Sequence, residues 1–264
     1  MANKPGDFIW YELMTGDADA AQRFYGAILG WTFDGNYPAD VDYRIISAGD
    51  HGVGGILPIS PDMAAQGARP IWVGYILVED VESAASSITA AGGAMLMPAK
   101  DVPQAGRIAM MSDPQGIPFY IIRPAGEGDS LAFAYDKPRA GHCAWNELIT
   151  PDPASALSFY TTQFGWEKDG EMDMGPMGQY EFLRHGSVIG ALMPKSPEMP
   201  HGGWNHYFRV ADVDEAVRIV GEEGGTVLFG PQEVPGGDWV IQGLDPQGAA
   251  FALVGSRVAK ETGG

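Results

Sequence analysis

The chain has 264 residues, of which 45% are apolar, and 34 acidic against 16 basic side chains give a formal net charge of −18. This apolar content allows a sizeable core and excludes wholesale disorder, while the negative charge disfavours nucleic acids and anionic membranes as partners. Cys143 is the one cysteine, so an internal disulfide is excluded and a reducing compartment is favoured.

The sequence carries no targeting or nucleotide-binding signal that we recognise. Its N-terminal residues lack the apolar core of a signal peptide, and no apolar run has the length of a membrane span. We therefore expect a cytoplasmic protein. Neither a G-x-G-x-x-G sequence nor a P-loop is present, so nucleotide cofactors lack support.

The first predicted element is a strand with the sequence FIWYELM, at residues 8–14. Asp17 follows as a helix N-cap, because its carboxylate can accept a backbone N–H of the first helical turn. Apolar residues at helical spacing then predict a helix that ends at Gly30, and these residues are Ala21, Phe24 and Ile28. Turn sequences such as AGDHG divide the next residues into short strands.

The same order of signals recurs three more times along the chain. The strand-like stretches IWVGYILV, CAWNELI and NHYFRV begin at residues 71, 143 and 205. Each is followed by an aspartate that can cap a helix, and these are Asp80, Asp152 and Asp212. The repeat unit is therefore a strand, a helix and about three further strands, and the chain holds four such units.

The four units group into two homologous halves. A shift of 135 residues places WYELMTGDADAAQRFYGAILGW (10–31) on WNELITPDPASALSFYTTQFGW (145–166), and a shift of 132 aligns the DPQG sequences that begin at Asp113 and Asp245. We predict a first domain at residues 1–125, a linker at 126–138, a second domain at 139–257 and a tail at 258–264.

This organisation resembles the vicinal oxygen chelate superfamily, which includes glyoxalase I, bleomycin resistance proteins and extradiol dioxygenases. The resemblance is carried by the strand–Asp–helix pattern that ends in Phe24–Tyr25 and Gly30–Trp31, by its copy at 159–166, and by the V-x-D-V and DPQG sequences. It covers nearly the whole chain. It implies an α+β fold of four βαβββ modules, paired into two cupped, barrel-like mixed sheets with one cavity per sheet.

The resemblance also implies where a metal would lie, because metal-binding members take ligands from four places in each cup. In this chain those positions hold neither an acid nor a histidine. They are Trp10, Val73, Tyr120 and Gly54–Ile56 in the first cup, and Trp145, Asn205, Ala252 and Ile189–Ala191 in the second. Transition metals need several N, O or S donors, so we expect no metal and no other cofactor, and glyoxalase I activity is not implied.

Alternation along the strands predicts which side chains line each cup. The candidate ligand-binding residues are Trp10, Tyr75 and Tyr120 in the first cup, and Trp145, Asn205, Tyr207 and Arg209 in the second. An aromatic wall with a few polar groups is typical of a small-molecule pocket. Ala252 stands at the position of Tyr120 and leaves more room in the second cup.

Glu12 and Glu147 occupy one position of the repeat and are predicted to face the cups. A carboxylate in an apolar cup has a raised pKa and can serve as a catalytic base or acid. The structural alternative is a glutamate that pairs with a nearby hydroxyl or basic group, such as a tyrosine or Arg209, and orders the sheet.

A second metal arrangement requires a shift of strand register. His142 and His206 lie on the first strands of the third and fourth units, where alternation places both on the helix side. A slip at a strand end would bring both inward beside Glu147, and two histidines with one carboxylate can hold iron(II). The first half offers no such set.

Three functions remain open from the sequence. We expect a metal-free protein that binds a small, partly aromatic molecule in one or both cups. The alternative is an enzyme of the lyase, isomerase or dioxygenase class that uses Glu12 or Glu147 as base, or a metal at His142, Glu147 and His206. The third is an interaction protein whose cups are filled by their own side chains. Since one chain supplies both halves, either a monomer or a homodimer fits.

Overall fold

The structure, a computed structural model, describes residues 3–35, 42–126 and 128–258. The predicted tail at 258–264 lies outside this description except for Val258, and so does residue 127 of the predicted linker. No helix in the described ranges is both long enough and apolar enough to cross a membrane.

The first half of the chain forms one eight-stranded sheet. Its strands are β1 (Phe8–Thr15), β2 (Thr32–Asp34), β3 (Arg44–Ala48), β4 (His51–Pro58), β5 (Ile71–Leu77), β6 (Ala94–Val102), β7 (Gly106–Ser112) and β8 (Pro118–Pro124). Its helices are α1 (Ala18–Leu29), the short α2 (Pro61–Ala65) and α3 (Val81–Ala90). The strand order is β2-β3-β4-β1-β5-β8-β7-β6.

The second half forms another eight-stranded sheet. Its elements are β9 (Cys143–Thr150), α4 (Pro153–Phe164), β10 (Glu167–Asp173), a 3-10 turn at Gly175–Met177, β11 (Gln179–His185), β12 (Ser187–Pro194), β13 (Gly203–Val210), α5 (Val213–Glu222), β14 (Thr226–Glu233), β15 (Trp239–Leu244) and β16 (Ala250–Gly255). The strand order is β10-β11-β12-β9-β13-β16-β15-β14, which repeats the order of the first sheet strand for strand.

The two strand orders confirm the prediction of an α+β fold built from four βαβββ modules. Each module supplies one strand, a helix and three strands, and each sheet joins two modules through their first strands, β1 with β5 and β9 with β13. Both sheets are mixed, because β5 runs parallel to β8 and β12 parallel to β9. Each sheet ends on strands with a single neighbour, so it is cupped rather than closed into a barrel.

The four predicted aspartate caps are all present in the structure. The side chain of Asp17 accepts from the backbone N–H of Ala20, and Asp152 accepts from Ser155. The caps Asp80 and Asp212 accept from Ser83 and Asp214 in the same way. Helices α1 and α4 end on glycines in the left-handed region, Gly30 with φ 67° and Gly165 with φ 66°, as a helix C-terminus favours. In α3 and α5 the C-caps are Ala91 and Glu223, and glycine follows one residue later.

The described residues cluster into two compact units, and each takes segments from both halves of the sequence. One comprises the chain up to Glu12, Val73–Asp136 and Trp145–Asn205, and the other comprises Leu13–Trp72, Lys137–Ala144 and the chain from His206 onward. Each unit has its own aromatic core. The first core contains Phe8, Phe119, Tyr160, Phe164, Trp166 and Trp204. The second contains Phe24, Tyr25, Trp31, Trp72, Phe208 and Phe251.

The repeated motifs hold these cores together by matching polar contacts. In the first unit the Tyr160 hydroxyl donates to Asp113 Oδ2 at 3.2 Å, and the Trp166 indole donates to the Gly6 carbonyl at 2.8 Å. In the second unit Tyr25 donates to Asp245 Oδ2 at 3.0 Å, and the Trp31 indole donates to Gly141 at 2.7 Å. The Phe-Tyr, Gly-Trp and DPQG signatures therefore have a structural role, and the expectation that Trp31 and Trp166 belong to the core is confirmed.

Candidate functional site

The glutamate of the first half lies in a closed cluster of two tyrosines, which we call the first-half cluster: Glu12, Tyr75 and Tyr120. Strands β5 and β8 bring Tyr75 and Tyr120 into register, and their rings stack with centroids 4.2 Å apart and planes 14° apart. The Tyr75 hydroxyl donates to Glu12 Oε2 at 2.8 Å. All three side chains are buried, with exposed fractions of 2%, 5% and 4%.

Burial has a chemical consequence for Tyr120. Loss of hydration raises the pKa of its phenol well above the ordinary value, and the negative charge of Glu12 raises it further. Tyr120 is therefore a neutral hydroxyl at any physiological pH. It can donate a hydrogen bond but is not available as a base.

The glutamate of the second half lies in a different setting, the second-half cluster: Trp145, Glu147, Tyr180 and Asn205. The Tyr180 hydroxyl donates to Glu147 Oε2 at 2.9 Å, and the Asn205 amide donates to Oε1 at 3.2 Å. The Trp145 indole donates to the Tyr180 hydroxyl at 2.8 Å. Glu147 itself is 5% exposed, but Trp145, Tyr180 and Asn205 are only half-buried.

Two more aromatic rings extend the second-half cluster. Phe182, two residues along β11 from Tyr180, lies with its ring centroid 5.6 Å from that of Tyr180 and 6.1 Å from that of Trp145. Tyr135, from the segment between the two sheets, lies 5.6 Å from Trp145 and is 40% exposed. Four rings thus adjoin one carboxylate, and part of their surface faces solvent.

The remaining candidate residues of the second half lie in the other compact unit. Tyr207 is level with Ala252 on the neighbouring strand β16, and the Gln242 amide donates to the Tyr207 hydroxyl at 2.6 Å. Arg209 forms a two-point ion pair with Asp238, at 2.6 and 3.2 Å. A methyl group therefore stands beside Tyr207, where a second tyrosine ring stands beside Tyr75 in the first half.

The structure thus brings some predicted residues together and leaves others apart. Within one unit it joins Glu12 to Tyr75 and Tyr120, and Glu147 to Trp145 and Asn205. Trp10 is half-buried on β1, and Val73 is buried on β5. The expected pairing of a glutamate with a tyrosine is present in both halves, whereas Arg209 pairs with Asp238.

The residues at the family's metal positions do not fit a metal ion. Those positions hold indole, phenol, aliphatic and amide side chains, and among the residues that the structure describes no group of three or more His, Cys, Asp or Glu side chains could hold a metal. His142, Glu147 and His206 therefore do not form such a group. His206 is buried, and loss of hydration lowers its pKa to about 3, so its imidazole is neutral at physiological pH.

Sequence reasoning missed Tyr180, Phe182 and Gln242, which all contact predicted residues. A signal for Tyr180 was present, because Tyr43 stands one residue before β3 and Tyr180 occupies the equivalent place beside β11, before strands of matching register. The connecting loops differ in length by one residue, which hid the correspondence at a fixed shift. For Phe182 and Gln242 no repeated partner exists in the first half, where Ile45 and Met110 stand instead.

Comparison with known proteins gives a consistent assignment. The family model of the glyoxalase/bleomycin resistance protein/dioxygenase superfamily matches residues 8–121 and 139–253. A Mycobacterium tuberculosis protein named as a glyoxylase, CFP32, is 32% identical over 250 residues, which are 93% of each chain. The anthracycline biosynthesis protein DnrV of Streptomyces peucetius is 29% identical over 272 residues, 95% of this chain and 93% of DnrV.

Solved structures with the same fold have low sequence identity to the chain. The 2,2',3-trihydroxybiphenyl 1,2-dioxygenase of Sphingomonas wittichii superposes with a TM-score of 0.67 at 14% identity, over 96% of this chain and 91% of the dioxygenase. The Mn(II)-bound glyoxalase of Novosphingobium aromaticivorans gives a TM-score of 0.64 at 17% identity, over 97% and 83%. At these identities the likeness concerns the fold alone.

Proposed function

The chain belongs to the glyoxalase/bleomycin resistance protein/dioxygenase superfamily, and we propose that it binds a small, partly aromatic molecule at the second-half cluster, without the family's metal ligands. The first-half cluster has a structural role in this proposal. The ligand contacts the rings of Trp145 and Tyr180, and its polar groups hydrogen-bond to Glu147 and Asn205.

The observation that carries this proposal is the difference between the two clusters. Glu12 and its two tyrosines are buried and satisfy one another, so the first-half cluster offers no polar group to a ligand without being taken apart. Around Glu147 the aromatic and amide side chains remain half-exposed. Exposed rings beside a few convergent polar groups are typical of small-molecule sites.

The relatives support an aromatic ligand. DnrV and its counterpart DauV from a Streptomyces species are named for anthracycline biosynthesis, and each matches almost the whole chain at 29% identity. An anthracycline is a polycyclic aromatic molecule with hydroxyl groups, which fits a wall of indole and phenol rings beside a carboxylate. It is therefore the first probe to test.

Without the family's metal ligands, the site works by shape, stacking and hydrogen bonding. The Trp145 indole and the Tyr180 hydroxyl form a chain of hydrogen bonds that ends on Glu147, which fixes the carboxylate in place before a ligand arrives. A preorganised acceptor loses little entropy on binding. We propose that binding persists when metal is removed.

Chemical unfolding in the presence of aromatic probes tests the proposal. A panel of an anthracycline, hydroxylated aromatics and aromatic aldehydes is added to the wild type, to Trp145→Ala and to the matched first-half variant Trp10→Ala. At a hundredfold its dissociation constant, a ligand should add about 2.7 kcal/mol to the free energy of unfolding. We expect a gain for the wild type and for Trp10→Ala, and none for Trp145→Ala.

Two outcomes would contradict the proposal. If no probe stabilises the wild type, the protein does not bind this class of ligand. If a probe is consumed, and Glu147→Gln folds normally yet lowers its turnover a hundredfold or more, the protein is an enzyme with Glu147 as its base. The same result for Glu12→Gln would assign that role to the first half.

A further inference from the structure

We infer that the ligand of the second-half cluster carries a cationic group, a protonated or quaternary amine, which binds between the aromatic rings and the carboxylate of Glu147. This inference rests on the proposed function and adds the charge of the ligand to it. It concerns the rings of Tyr135, Trp145, Tyr180 and Phe182.

The first step of the argument is the acceptor pattern of Glu147. Both of its oxygens accept hydrogen bonds, Oε2 from the Tyr180 hydroxyl and Oε1 from the Asn205 amide. Both donors are neutral groups, and they orient the carboxylate without cancelling its negative charge. An oriented carboxylate at the base of a ring of aromatic side chains attracts a cation.

The second step concerns the rings. Their centroids are 5.6–6.1 Å apart along the series Tyr135, Trp145, Phe182 and Tyr180, with planes inclined by 51° to 80°. Inclined rings present faces to a common volume instead of stacking on each other, as Tyr75 and Tyr120 do at 14° in the first half. Aromatic faces attract cations, and groups of such rings recognise ammonium ligands.

The third step is the source of Tyr135, which belongs to the segment between the two sheets. This segment is fixed to the first half, because the Ser130 hydroxyl donates to the Ile9 carbonyl at 2.6 Å and the Ser130 N–H donates to Asn3. Tyr135 then lies against Trp145 while 40% of it stays exposed. The connecting segment thus supplies the outermost ring of the site, and an amine can reach the other rings past it.

Calorimetric titration with two matched probes tests the inference. The probes are 2-naphthylmethylamine, which is protonated at neutral pH, and 2-naphthylmethanol, its neutral analogue. We expect the amine to bind the wild type at least tenfold more tightly than the alcohol. Glu147→Gln keeps the acceptor but removes the charge, so the affinity for the amine should fall to that for the alcohol. The matched first-half variant Glu12→Gln should keep the tenfold preference.

A ring variant keeps the test decisive if Glu147→Gln fails to fold. Phe182→Leu removes one ring and should lower the affinity for the amine at least threefold, while the affinity for the alcohol changes less than twofold. Equal affinities of the two probes for the wild type would overturn the inference and leave the proposed function standing. If neither probe binds while the anthracycline does, the cationic site is also wrong. If nothing binds, the proposed function fails with it.

Discussion

Glu12 and Glu147 stand at one position of the repeat, and their neighbours decide what each can do. Tyr120 closes the first-half cluster, because its ring covers Tyr75 and its hydroxyl lies within the field of Glu12. In the second half Tyr180 reaches Glu147 from β11, and Trp145 and Asn205 stay half-exposed around it. A single exchange of Tyr120 for Ala252 in the repeat thus separates a packed cluster from an accessible one.

Substitutions of Glu12 should reveal a structural role. Glu12→Gln keeps an oxygen acceptor for the Tyr75 hydroxyl, so the free energy of unfolding should change only modestly. Glu12→Ala leaves a buried hydroxyl without its acceptor and should cost about 1–3 kcal/mol. Urea unfolding of both variants measures this difference. Equal losses in the two variants would show that the hydrogen bond at Glu12 is not what stabilises the cluster.

His206 should make the protein less stable in acid. Its folded pKa is about 3 because it is buried, whereas the unfolded chain binds a proton below about pH 6.5. The unfolded state therefore takes up the extra proton, and stability that is complete above pH 6.5 is lost as the pH falls towards 3. Between pH 6.5 and 4.5 this contribution is roughly 2–3 kcal/mol.

The matched variants for this prediction are His206→Gln and the exposed His201→Gln. Free energies of unfolding are measured by urea titration between pH 7 and 4.5. His206→Gln should lose part of the acid slope of the wild type, and His201→Gln should keep it. Identical slopes for the wild type and His206→Gln would mean that His206 is accessible to protons in the folded state.

At the scale of elements, the turn between β7 and β8 acts as a clamp on a helix of the other half. Asp113 Oδ1 accepts from the backbone N–H groups of Gln115 and Ile117, and its Oδ2 accepts from Tyr160 of α4. Burial raises the pKa of Asp113, and the three hydrogen bonds offset part of the cost of burying its carboxyl group. The equivalent turn at Asp245 binds Tyr25 of α1 in the same way.

Removal of this clamp should cost much of the protein's stability. Asp113→Ala strands two buried backbone donors and one hydroxyl, so we expect a loss of about 2–4 kcal/mol. Tyr160→Phe removes one hydrogen bond and should cost about 1 kcal/mol. Urea midpoints at unchanged slope measure both losses. A loss below 0.5 kcal/mol for Asp113→Ala would contradict the clamp.

Elements were largely predictable from the sequence, because their signals are local. The aspartate caps, the helix ends at Gly30 and Gly165 and the DPQG turns each follow from the chemistry of one or two residues. The contacts of the candidate site were less predictable. Tyr180 reaches Glu147 across strand β12, and only the pairing of whole strands shows this. Alternation gives the face of a strand but not which side chains meet on it.

At the scale of the whole molecule, the repeat fixes the fold and leaves function free to differ between the halves. The two sheets have the same strand order, and the core signatures recur in both compact units. The positions that face the predicted cups have diverged, with Val73 against Asn205 and Tyr120 against Ala252. A duplicated chain can keep one half as a structural partner while the other binds the ligand.

The account therefore predicts one binding site per chain, in the second half, that requires no metal. The direct measurement is calorimetric titration of an anthracycline into protein that has been dialysed against a chelator, for the wild type, Trp145→Ala and Trp10→Ala. We predict one ligand per chain for the wild type, an affinity at least tenfold weaker for Trp145→Ala, and an unchanged affinity for Trp10→Ala. Two ligands per chain, a loss in Trp10→Ala, or binding that returns only when metal is restored would contradict the account.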